Sequence, residues 1–144
     1  MIRDHNGCWV SGFQISLGIG EILVAESWGL FYGLKLASQL NISYLEIESD
    51  SAILVQLSQK SDLSKHPLGS LLTGCLNIMK CMAVVSFIHI FREANMTADS
   101  LAKESINHEK GLVIFYSPPI HASQSFLDDL AAVTRTRRVS CFSS

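Results

Sequence analysis

The chain has 144 residues, 48% of them hydrophobic and 17% charged, with a formal net charge of −2. That length supports one domain with a real core and little more, and no unbroken apolar run approaches the roughly 18 residues of a membrane helix. The balance leaves no basic footprint for nucleic acid, and no charged start followed by an apolar run marks a secretory signal, so an intracellular chain, nuclear or cytoplasmic and without a membrane partner, is expected.

In chain order, Asp4-His5-Asn6-Gly7 predicts a tight turn, because Asn-Gly accepts positive φ. Residues 8–15 alternate, with Trp9, Ser11, Phe13 and Ile15 on one side, so a hairpin is expected whose first arm is very short. Residues 17–20 form a Gly-rich connection. Gly18 and Gly20 are not a phosphate loop, since the Lys and Ser/Thr of that motif are absent. Residues 21–40 are the longest helix candidate, with Leu23, Leu30, Phe31, Leu34 and Ala37 near helical spacing and Asn41 as its C-terminal cap.

Residues 42–48 read as a strand that runs into Ser49-Asp50, and residues 51–59 as the next helix. A polar loop ending in Pro67 leads to a third helix over residues 68–80, which Gly74 weakens by about 1 kcal/mol relative to alanine. Residues 83–91 are almost continuously apolar, the pattern of a strand buried on both faces. After a polar loop over 92–96, a helix is expected over 97–106, with Ala98, Leu101 and Ala102 inward and Asp99 between them. Residues 112–116 are a short strand-like piece stopped by Pro118-Pro119. A final short helix is expected over 126–133, carrying Asp128 and Asp129, before a frayed end. The order predicts α/β: an antiparallel hairpin, then strands joined by helical crossovers. Residues 1–110 are read as the domain and 111–144 as a C-terminal extension.

Four cysteines, Cys8, Cys75, Cys81 and Cys141, lack a Cys-x-x-Cys pair or matching histidines, so buried reduced thiols are expected in place of a zinc site. Arg135, Arg137 and Arg138 read as a solvated tail, and Trp9 and Trp28 as packing residues before base-stacking ones. Three carboxylates stand in suggestive contexts: Glu26 on the first helix, Asp50 where a strand hands over to a helix, and Asp99 on the helix after the last long strand. Clustered carboxylates hold Mg²⁺, which prefers oxygen ligands, and paired ions can activate water for phosphodiester cleavage.

At these residues the sequence becomes specific. Ala25-Glu26, Glu48-Ser49-Asp50-Ser51 and the run from Arg92 through Asn95 and Asp99 to Lys103 resemble the motifs of the RNase H type 1 family. The nearest resemblance is to its plant branch related to the reverse transcriptases of non-LTR retroelements. The resemblance covers nearly the whole chain. It implies an RNase H-like mixed sheet flanked by helices and an endonuclease acting on the RNA strand of an RNA–DNA hybrid. It also implies four carboxylates holding two Mg²⁺ (or Mn²⁺) ions, with no small-molecule cofactor. Glu26, Asp50 and Asp99 match three of the four. Asn95 matches a loop asparagine that caps the last helix or touches substrate; His89 stands near where the family places a substrate-handling histidine, with a structural strand-end role as the alternative, and Arg92 reads as either a phosphate contact or a surface arginine.

The chain departs from the pattern at its start. The family's first strand, central in the sheet and bearing the first aspartate, has no match here, and Asp4 belongs to a turn instead. The resemblance therefore implies an N-terminally truncated domain, with weak metal binding and impaired turnover. The rival reading is a non-catalytic module for binding nucleic acid or protein that keeps only the fold. A nuclease of the same superfamily acting on DNA is a third, disfavoured by the stretch over 95–103.

Overall fold

The computed structural model describes residues 1–18, 20–105 and 111–140, with the backbone alone for 84 and 132–140. Cys141, the end of the 97–106 helix, and the side chains of Arg135, Arg137 and Arg138 therefore lie outside the described residues. Ten elements follow in order: β1 (Ile2–Arg3), β2 (Trp9–Ser16), α1 (Ile22–Gln39), β3 (Tyr44–Ser49), α2 (Ala52–Ser58), α3 (Gly69–Lys80), β4 (Val84–His89), α4 (Met96–Glu104), β5 (Gly111–Phe115) and α5 (Ile120–Ser140). A single 3₁₀ turn over Arg92–Ala94 precedes α4. This is the expected mixed α/β class, in two compact units: Met1–Gly18 with Arg92–Ser144, and Ile19–Phe91.

The first unit is built on an antiparallel sheet of order β1-β2-β5. Asp4 closes the expected hairpin turn. Its Oδ1 accepts from the amides of Asn6 at 2.8 Å and Cys8 at 2.9 Å, and Gly7 alone takes positive φ, at 83°. On the β5 side, five residue pairs run from Gly12↔Phe115 to Ser16↔Gly111. Helix α5 is longer than the expected 126–133 segment, because it starts immediately after the proline pair. Proline suits a helix entrance, where an amide needs no partner. Here the Pro119 carbonyl accepts from the Ala122 amide and the Ser123 hydroxyl. The indole of Trp9 meets the Phe126 ring edge-on at 5.5 Å and donates to the Phe115 carbonyl. Packing is thus the role of Trp9.

The second unit holds the parallel pair β3-β4, joined through α2 and α3. A parallel pair needs such a crossover, since a tight turn cannot reverse the chain twice. Helix α1 ends as expected at Asn41. That residue takes φ 55°, its amide donates to the Ser38 carbonyl, and Ile42 donates to the Ala37 carbonyl. These two bonds satisfy carbonyls the helix end would otherwise leave open. Leu54, Leu57, Leu63 and Leu72 are buried together, with Leu23, Leu30, Leu68, Leu76 and Phe87 packed against them. Each buried leucine contributes about 1.5–3 kcal/mol by removal from water.

Three local expectations are corrected. Strand β4 is not buried on both faces: Ile88 is 40% exposed and His89 is exposed. In α4 the inward residues are Thr97 and Leu101, while Ala102 is exposed. Of the described cysteines only Cys75 is buried, and Cys8 and Cys81 are exposed free thiols.

Candidate functional site

Within the second unit, Asp50 follows the last residue of β3 at a corner fixed by its neighbours. The Ser51 amide donates to Ser49 Oγ at 3.1 Å, and Ser51 Oγ accepts from the Leu54 amide at 3.3 Å, capping α2. A serine in extended conformation before a helix fills one of the orphan N–H positions there. The corner holds half-buried Asp50 at the C-terminal end of the parallel pair. The strand register brings His89 to the same end: Ser49 pairs with His89, and the Ile90 amide donates to the Ser49 carbonyl at 2.9 Å. His89 is exposed and meets Phe91 edge-on at 6.0 Å. Glu26 lies half-buried in α1, one residue before buried Ser27, whose hydroxyl donates to the Leu23 carbonyl. A depression of about 240 Å³ lined by Ser38, Asn41, Ser43 and Cys81 lies by the opposite, N-terminal end of β3 and is separate from the acidic corner.

Within the first unit, Arg92, Asn95 and Asp99 come together at the entrance of α4. Asp99 Oδ2 is 2.7 Å from Lys103 Nζ, and its Oδ1 is 3.5 Å from Arg92 Nη2. The hydrogen bond from Lys103 is the main reason its carboxyl lies below the ordinary range. Burial is the next largest effect and opposes it, while the charges of Lys103 and Arg92 and the Arg92 hydrogen bond lower it further. Arg92 and Lys103 are 74% and 72% exposed, so both cations stay in reach of an external anion. Lys103 was not singled out from the sequence, although the i,i+4 spacing of Asp99 and Lys103 on a helix is its signal.

Asn95 occupies the N-cap position of α4, but its side chain makes no capping bond. The cap comes from α5. Asp129, 3% exposed, accepts from the Met96 amide at 3.3 Å, from the Thr97 amide at 2.8 Å and from the Thr97 hydroxyl. Sequence spacing carries no signal for this contact, because it joins residues 32 and 33 positions apart. Among the described residues no three His, Cys, Asp or Glu side chains are gathered as a metal site.

Residues 1–105 match a family described as reverse transcriptase-like. Over 139 residues the chain is 32% identical to an Arabidopsis thaliana protein named "Putative ribonuclease H protein". The match covers 96% of this chain and 22% of that protein, so the chain spans about a fifth of its relative's length. Among solved structures, the N-terminal RNase H domain of a Mycobacterium tuberculosis protein, determined as a fusion with maltose-binding protein, aligns with a TM-score of 0.55 and 27% identity. That alignment covers 59% of this chain and 62% of the other. RNase H1 from Halobacterium salinarum aligns with a TM-score of 0.59 over 63% of this chain and 70% of its own, and at 22% identity it shows the shared fold alone.

Proposed function

The chain belongs to the reverse transcriptase-like family of plant RNase H-like domains, and from that premise we propose that it binds RNA–DNA hybrid and cleaves it weakly or not at all. The observation that carries this reading is Asp99 held between Lys103 and Arg92. Both oxygens of that carboxylate face an exposed cation, a pairing weak enough in water for the two cations to be shared with a phosphate. By resemblance, Glu26, Asp50 and Asp99 match metal-holding carboxylates. Arg92 and Lys103 are exposed cations beside an exposed turn, and cations that neutralise phosphates supply most of the affinity for nucleic acid.

The second reading is hydrolysis of the hybrid with divalent metal at the three carboxylates. It draws on the placement of Asp50 with His89 at the C-terminal end of two parallel strands, a position where open α/β sheets commonly hold ligands. One experiment separates the two. Binding of a labelled RNA–DNA hybrid, an RNA duplex and a DNA duplex is measured by fluorescence anisotropy, and cleavage is followed with Mg²⁺ or Mn²⁺. Preferential hybrid binding without cleavage, weakened by Arg92→Ala, is the expected result. Robust cleavage abolished by Asp50→Asn establishes the hydrolase reading instead. Failure to bind the hybrid overturns both.

A further inference from the structure

The contact between α5 and the start of α4 gives the chain beyond residue 110 a function of its own. A helix begins with amides that have no partner inside it, and its N-terminus attracts negative charge. In α4 the residue at the cap position does not satisfy them. Asp129 does, from another helix and from a buried position, with its two oxygens divided between Met96 and Thr97. Thr97 is fully buried, and its hydroxyl donates to the same carboxylate. Asp129 is itself held in place from several sides. Phe126 packs on Trp9, Ala122 is fully buried, the Leu130 side chain reaches to Gly7, and the Ser100 hydroxyl donates to the His121 carbonyl at 2.9 Å. All these contacts lie within the first unit. Asp129 lies outside residues 1–105, the stretch that matches the family.

We infer that Asp129 is a positioning residue: by capping α4 from α5 it sets the first turn of α4, and with it Arg92, Asn95 and Asp99, for contact with nucleic acid. The inference rests on the binding reading above for its ligand, and on geometry alone for the positioning. Without the carboxylate, the Met96 and Thr97 amides lose their partners, Thr97 at a fully buried position. The first turn then frays, and the pairing of Arg92 with Asp99 across it loosens.

The test uses the full chain with Asp129→Ala and, as control, Ser100→Ala. The control also removes a hydrogen bond between α4 and α5 but leaves the capped amides alone. Two quantities are read on the folded protein: amide hydrogen exchange at Met96 and Thr97 by NMR, and anisotropy of the labelled hybrid. A capping loss of ordinary size corresponds to roughly fivefold to tenfold faster exchange at the two amides in Asp129→Ala. Hybrid affinity is expected to weaken by about the same factor, with both quantities unchanged in Ser100→Ala. If Asp129→Ala does not fold, Asp129→Asn takes its place. It keeps the shape and one accepting oxygen, so exchange should rise at one of the two amides. Exchange and affinity unchanged in the folded variant, or equally changed in Ser100→Ala, overturn the inference. If the unaltered chain binds no hybrid, the nucleic-acid reading falls, and the exchange measurement alone decides whether Asp129 positions α4.

Discussion

Replacing Gly69 with alanine sets two effects against each other, and the structure decides the sign. Gly69 is the first residue of α3, where alanine is favoured over glycine by at most about 1 kcal/mol. A methyl group built on Gly69, however, would overlap the Leu63 carbonyl oxygen outright and sit 3.1 Å from its carbon. That carbonyl accepts from the His66 amide at 3.0 Å, and the His66 carbonyl in turn accepts from the Gly69 amide at 2.8 Å. The turn is therefore a closed stack of backbone groups with no flexible side chain to give way. Moving Leu63 to relieve the overlap also drags its side chain, 6% exposed, out of the leucine cluster. Overpacking of this kind costs about 1–3 kcal/mol, and a lost backbone hydrogen bond about 1 kcal/mol more. The net expectation is destabilisation by about 2 kcal/mol. Urea unfolding is followed by the fluorescence of Trp28, which packs on Phe31 in α1, in a Trp9→Phe background that silences the other unit. The midpoint should fall by about 1 M. A midpoint that stays put or rises would mean that the turn yields without cost, and the argument from closed backbone packing would be wrong.

Leu72→Ala, at a position 1% exposed in the same cluster, should cost about 2–5 kcal/mol in the same assay. A thiol reagent should label Cys8 and Cys81 in the folded chain and reach Cys75 only in denaturant, since burial pushes the Cys75 thiol up to about 11. Because the Asp99 carboxyl lies below its ordinary value, chiefly through Lys103, its stabilising contribution is present above the unfolded-state value near 4 and is lost as pH falls through the folded value. Lys103→Met should accordingly lower the neutral-pH stability of the first unit, followed by Trp9 fluorescence, by a few tenths of a kcal/mol and flatten the acid side of its stability profile, the small size reflecting solvent screening of an exposed pair. Arg92→Ala should reduce the slope of log hybrid affinity against log salt by about 1, as expected for one phosphate contact.

The local features were legible because they are written in local chemistry. The Gly7 turn, the Asn41 helix end and the Asp50 corner all follow from residues within a few positions of each other. The apolar run in β4 misled because hydrophobicity alone does not say how many faces a strand buries, and Ile88 remains open. The length of α5 was hidden because the proline pair reads equally as a stop and as a helix entrance; the hydrogen bonds to Pro119 identify the entrance. Asp129 could not be read at all. A carboxylate in an amphipathic helix looks solvated until the fold supplies amides 32 and 33 residues away.

The pairing of β2 with β5 also bears on how the chain is made. The Trp9 indole donates to a carbonyl 106 residues further along, whereas the unit over Ile19–Phe91 is contiguous in sequence. During synthesis the contiguous unit can complete its leucine cluster while the partners of β2 have not yet left the ribosome. The hairpin must wait, with its β5-side edge unpaired, until residues 111–115 emerge. Loop closure over such a span is slow, and an unpaired strand edge is exposed to pairing with other chains. Nascent chains whose first 91 residues have cleared the ribosome while residues 111–115 have not should therefore protect the leucine cluster from proteolysis and leave residues 9–16 open to it.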